Sequence, residues 1–73
     1  MDVTLQQLQC FDAVVTQGSF QAAAETMRRA QPSVSLAVKN LEEQLGLSLL
    51  DRSGYRVSLT EAGRSFHART RVF

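Results

Sequence analysis

The side chains best suited to chemistry lie in one short run, Gln31-Pro32-Ser33-Val34-Ser35, and in the cations that follow it. The Gln31 amide carries a donor and an acceptor side by side, and the Ser33 and Ser35 hydroxyls each donate and accept. That is the chemistry of reading hydrogen-bonding edges. An amide matches an adenine edge in bidentate fashion, and a hydroxyl serves a base or a phosphate. Lys39 adds a charge better suited to phosphate than to a base. Leu36 interrupts this polar set; a lone exposed leucine is common, and the functional alternative is contact with a thymine methyl or a sugar. Catalysis is the weakest reading. Cys10 is the only cysteine and His67 the only histidine, so no metal-ligand cluster forms in sequence. There is also no nucleophile–base set and no Gly-rich phosphate loop. Cys10 reads as a partly buried structural thiol, with no basic neighbour in sequence to activate it.

These residues need elements to position them. Val34, Val38, Leu41 and Leu45 follow at i, i+4, i+7 and i+11, which predicts an amphipathic helix over about 31–45. Pro32 suits its first turn, where a missing N–H costs nothing, and Gly46 ends it. The opposite face then holds Pro32, Ser35, Leu36, Lys39 and Glu43, with Gln31 and Ser33 at the N-terminal end. Before it, Thr4 and Gln7 fit a capping box opening a first helix from about Thr4 to Gln17. Its expected apolar stripe is Leu5, Leu8, Phe11 or Asp12, and Val15, with Gly18 as the stop. Ser19 caps a second helix, Phe20 to about Arg28, where Ala22, Ala23 and Ala24 permit close approach of another helix. Arg28-Arg29-Ala30 forms the turn between the second and third helices.

Two extended runs follow, about Ser48 to Arg52 and Arg56 to Leu59, with Ser53-Gly54 as a tight-turn signal between them. They read as a β-hairpin. Arg52, Tyr55 and Arg56 cluster at its turn, where an arginine can reach a minor groove or a flanking phosphate. The alternatives are solvent exposure, or for Arg52 a salt bridge with Asp51 or Glu61. Arg28 and Arg29 either grip phosphate or lie in a solvated turn. Thr60 caps a last helix, with Glu61 at its positive end and Ala62, Phe66 and Phe73 on its apolar side. Arg64, Arg69 and Arg71 read as surface charges. The helix runs to the last residue with no Gly, Pro or polar tail, which predicts a piece of a longer protein. The order is a mainly α, winged helix-turn-helix fold: a three-helix core, a two-stranded wing and the start of a further helix.

Composition agrees. The 73 residues suffice for one small domain, and 44% hydrophobic with 21% charged residues fits a folded one. The net charge of +1 conceals an asymmetry: all eight Lys and Arg lie at or after Arg28, where they face four acids. A basic half points to a nucleic-acid partner, against the plain reading of a solvated surface. No apolar run reaches the length of a membrane span, no signal peptide is visible, and the lone cysteine fits a reducing cytosol.

The ordered set of motifs resembles the LysR-type transcriptional regulators over nearly the whole chain. The matching residues are Leu8-x-x-Phe11, Gly18-Ser19-Phe20 with Ala23-Ala24, Gln31-Pro32-Ser33-Val34-Ser35, Leu41-Glu42-x-x-Leu45-Gly46, Leu49-x-x-Arg52 and Leu59-Thr60-x-Ala62-Gly63. The resemblance implies a DNA-binding domain over 1–59 and, over 60–73, the start of a linker helix that pairs two subunits. It implies DNA contacts at Gln31, Pro32, Ser33, Ser35 and Arg52. It also implies a C-terminal domain, outside this chain, that binds a small-molecule effector; no cofactor is expected within these residues. Three departures stand out: Leu36 where the family often has Arg, Arg29-Ala30 where it has an apolar residue and a capping Ser, and Leu50 in place of a common Phe.

The leading expectation is a bacterial homodimer, cytoplasmic and held on the nucleoid when bound, that reads an interrupted palindrome in double-stranded DNA. Its contacts are Gln31, Pro32, Ser33, Ser35, Leu36, Lys39, Arg52 and Arg56, and its dimer seam is Ala62, Phe66 and Phe73. Only part of that seam is present, so weak dimerisation is expected. The competing expectation is a winged-helix module that binds a partner protein through the apolar side of the last helix. Lys39→Ala with Arg52→Ala separates the two, because DNA binding collapses in the first case and partner binding survives in the second.

Overall fold

The computed structural model describes residues 3–70. Helix α1 spans Leu5–Gln17 and opens on the expected capping box: Thr4 Oγ1 accepts from Gln7 N at 3.1 Å, and Gln7 Oε1 accepts from Thr4 N at 3.2 Å. Gly18 closes it in the left-handed region, φ 83°. Helix α2 spans Phe20–Met27, with Ser19 Oγ accepting from Ala22 N at 3.0 Å. It ends on Arg28, also left-handed at φ 57°, a conformation that costs an L-residue about 1 kcal/mol. Helix α3 spans Gln31–Leu45 and ends on left-handed Gly46. Strands β1, Leu50–Asp51, and β2, Ser58–Leu59, pair antiparallel with Leu50 opposite Leu59 and Asp51 opposite Ser58. Helix α4 spans Glu61–Thr70, its start capped by Thr60 Oγ1, which accepts from Gly63 N at 2.9 Å. The architecture is a mainly helical winged helix-turn-helix.

The core lies where α1, α2 and α3 meet the segment leading into β1. Phe11, Val14, Val34, Val38, Leu41 and Leu49 are fully buried there, together with Ala23 and the near-buried Ala24. The small alanines do what their size suggested and let α2 pack closely. Leu45 is only half-buried, so the core stripe of α3 effectively ends at Leu41.

Two expectations are corrected. The buried face of α1 is Gln7, Cys10, Phe11 and Val14, not the stripe through Leu5, Leu8 and Val15. Leu5 is 63% exposed, and Leu8 and Val15 are half-buried. Phe11 takes the centre of the core, and this turns the helix; Gln7 can follow it inward because the capping box already satisfies its amide oxygen. The wing turn is not a tight two-residue one. Positions 52 to 57 separate the paired strands, and Gly54 stays outside the left-handed region that such a turn needs. Asp51 bends the chain instead, its Oδ1 accepting from Ser53 N at 2.9 Å and Ser53 Oγ at 2.6 Å.

Helix α4 docks on α1 at close range. The Phe66 ring lies 5.8 Å from Phe11, and His67 meets Phe11 edge-on at 5.7 Å. His67 Nε2 also lies 2.8 Å from Asp12 Oδ1. On another side, buried Gly63 lets α4 lie close to the segment leading into β1, since a Cβ there would run into the Leu49 carbonyl.

Candidate nucleic-acid interface

The candidate site is built outward from α3. Its N-cap residue, Ala30, offers no side-chain cap, as the departure from the family pattern suggested. The start is closed by backbone instead: the Ala30 carbonyl accepts from Ser33 N at 3.0 Å and Val34 N at 3.3 Å, and Pro32 brings no N–H. This leaves the helix opening with no bulky cap in front of it. Burying Val34, Val38 and Leu41 turns the other side outward. Gln31, Pro32, Ser33, Leu36, Lys39 and Glu43 are exposed, while Ser35 is half-buried. Leu36, at 57% exposure, is one of the few large apolar side chains on the surface. It borders a shallow groove between α3 and the start of α1, shared with Thr4, Gln6, Ser33 and Asn40.

The wing is positioned by individual ties. Glu42, on α3, accepts from Leu49 N at 2.8 Å and Leu50 N at 3.2 Å through a single oxygen, Oε2. The carboxylate thereby fixes the root of β1 to the helix that carries the polar end. On the return arm, Val57 N donates to the Gly18 carbonyl at 3.2 Å. Arg56 Nη2 reaches the Gln17 carbonyl at 3.4 Å, where the negative end of α1 favours a cation. Arg52 makes neither of the salt bridges considered for it; its Cζ lies over the Phe20 ring, 4.5 Å from the centroid. The Asp51 carboxyl is occupied by Ser53, which holds it below its ordinary pKa. Tyr55 stands fully exposed at the loop tip.

The structure therefore gathers Gln31, Pro32, Ser33, Leu36 and Lys39 on the open side of α3, and turns Ser35 partly inward. It gives Arg56 a partner within the chain and leaves Arg52 on an aromatic face. Of the proposed dimer seam, Ala62 and Phe66 are half-buried, Phe66 against its own Phe11; Phe73, like Arg71, lies outside the described residues. The roles of Glu42, Phe20, Gly63 and the His67–Asp12 pair were not among the expectations from sequence. The quoted family motifs contain Phe20, Glu42 and Gly63 but do not say what each touches; the His67–Asp12 pair acts across a distance that periodicity does not register. Cys10 is fully buried, and burial pushes its thiol pKa up against a smaller opposing effect of Arg29. Among the described residues no group of three or more His, Cys, Asp or Glu could hold a metal ion, and no helix is long and apolar enough to cross a membrane.

Comparison with known proteins supplies the context. A family profile described as "Bacterial regulatory helix-turn-helix protein, lysR family" matches residues 5–64. The chain is 52% identical over 63 residues, 86% of its length, to a probable RuBisCO transcriptional regulator of Cyanidioschyzon merolae, and covers 21% of that protein. It thus spans about a fifth of the length of the curated relatives it matches. Among solved structures, the CbnR DNA-binding domain in complex with DNA superposes with a TM-score of 0.87 at 36% identity, over 99% of this chain and 80% of that one. Vibrio fischeri DarR in complex with DNA gives a TM-score of 0.94 at 30% identity, over 99% of this chain and 25% of that one.

Proposed function

The chain belongs to the LysR family of bacterial regulatory helix-turn-helix proteins, and from that premise we propose that it binds double-stranded DNA sequence-specifically, with the N-terminal end of α3 in the major groove. The observation that carries this reading is the division of α3. Val34, Val38 and Leu41 are fully buried on one side, and Gln31, Pro32, Ser33, Leu36 and Lys39 are exposed on the other, beside a wing fastened to the same helix by Glu42. Gln31 and Ser33 read base edges, with Ser35 contributing from its half-buried place. Pro32 and Leu36 supply apolar contact, Leu36 to a thymine methyl or a sugar, which shifts base preference away from relatives that carry Arg there. Lys39 and Arg52 grip phosphate, or in the case of Arg52 a flanking minor groove. Arg56 serves chiefly to hold the wing against α1.

Two copies pair through α4, so that two reading helices address an interrupted palindrome with half-sites about one helical turn, or a multiple of it, apart. The groove between α1 and α4 combines Leu5, Leu8 and Val15 with the polar Gln9, Asp12, Thr16, His67 and Thr70, and offers a further surface for that pairing. In the longer regulator, a further domain binds a small-molecule effector and controls transcription from the occupied site. The work assigned to these residues is binding rather than catalysis, in keeping with relatives named as transcriptional regulators.

A binding titration at several salt concentrations tests the proposal. About four phosphate contacts per pair of copies, from Lys39 and Arg52 of each, predict roughly a hundredfold loss of affinity between ~50 and ~200 mM salt. Affinity that is flat across salt, with no promoter fragment preferred over random duplex, contradicts it.

A further inference from the structure

The two arginines of the wing stand in different surroundings. Arg56 commits a donor to the Gln17 carbonyl and lies against Gly18, whose lack of a side chain leaves room for its guanidinium. Arg52 rests on the Phe20 ring, and among the described residues it has no hydrogen-bond or ion-pair partner. A ring face attracts a cation without offering a lone pair, so the N–H donors of Arg52 stay available to another acceptor. A carboxylate would hold the guanidinium as firmly but would compete with phosphate for it. Asp51, the acid next to it in sequence, bonds to Ser53 instead.

We propose that Phe20 is a positioning residue for DNA binding, its ring holding the Arg52 guanidinium at the wing in the place it occupies on DNA. This rests on the reading of Arg52 as a DNA contact. The ring is itself well seated: it follows the Ser19 cap directly, packs half-buried against the core, and belongs to the corner that receives Val57 N on Gly18. One corner, Gly18 to Phe20, therefore fixes both the return arm of the wing and its outgoing arginine. An arginine already held loses less rotamer freedom on binding than one sampling solvent.

The test compares duplex affinity for the 73-residue chain and for Phe20→Leu, Phe20→Tyr, Arg52→Ala and the Phe20→Leu/Arg52→Ala pair, with a thermal melt of each. Phe20→Leu is expected to weaken binding about fivefold. Phe20→Tyr, which keeps an aromatic face, is expected to bind like the parent. The double variant is expected to bind no more weakly than Arg52→Ala alone. If Arg52→Ala weakens binding while Phe20→Leu does not, or if the two effects multiply independently, Phe20 has no positioning role and the reading of Arg52 stands. If Arg52→Ala leaves affinity unchanged, both fail. A measurement on the parent chain guards against misfolding of Phe20→Leu: the Cδ protons of Arg52 should show ring-current shifts in the free protein, and unshifted resonances overturn the proposal.

Discussion

Helix α3 and the wing serve the same proposed ligand but are held in place by different physics. α3 is located by volume: Val34, Val38 and Leu41 are fully buried against α1 and α2, and no single polar bond decides where the helix lies. The wing is packed only at its roots, with Leu50 in the core and Val57 and Leu59 against it. Beyond them it has two ladder pairs and single ties, from Glu42 to the Leu49 and Leu50 amides, from Arg56 to Gln17 and from Val57 to Gly18. A packed element resists displacement until the core itself is damaged. A tied element can shift after one substitution while the fold survives. The part proposed to read bases is thus the rigid one, and the part proposed to grip the flank is adjustable.

The largest expected effect breaks the packed side of this comparison. Leu41→Ala empties a fully buried site and should lower unfolding free energy by about 3 kcal/mol, read from chemical denaturation. For a domain of this size that is a large share of the total, so DNA binding and fold should be lost together. A smaller effect isolates the tied side. Glu42→Ala leaves the Leu49 and Leu50 amides without their acceptor and should cost about 1–2 kcal/mol. Amide exchange at those two positions should quicken while protection across the middle of α3 persists. Equal loss of protection in both regions would erase the distinction. The smallest effect has the opposite sign. Arg28→Gly relieves a left-handed arginine just before α3 and should raise stability by about 1 kcal/mol. If Arg28 also touches phosphate, the same variant melts higher yet binds DNA more weakly, and that combination would extend the grip beyond the wing.

The same contrast explains what could be read from sequence. Caps were legible because each is a local arrangement of a few residues: Thr4 with Gln7, Gly18, Ser19, Gly46 and Thr60. The core side of α3 was legible because packing imposes helical spacing. α1 was misaligned because Leu5, Leu8 and Val15 form a second apolar stripe overlapping the true one, and Gln7 conceals its burial behind a polar side chain. Periodicity cannot rank two overlapping stripes. The wing turn was misjudged because Ser53-Gly54 suggests left-handed glycine, whereas Asp51 makes the bend. The ties themselves join residues 39 apart for Arg56 and Gln17, and 55 apart for His67 and Asp12, with no local pattern to announce them. Where position depends on packing, the chain advertises it; where it depends on one bond between distant residues, only the fold reveals it.

Selection of bound duplexes from a random pool, performed with the parent chain and with Gln31→Ala and Ser33→Ala, tests the central claim most directly. The account predicts an enriched half-site motif for the parent. It predicts that each variant loses preference at one or two positions while the remaining positions keep theirs. A pool that yields no enriched motif, or a motif identical in all three proteins, contradicts the assignment of base reading to the N-terminal end of α3.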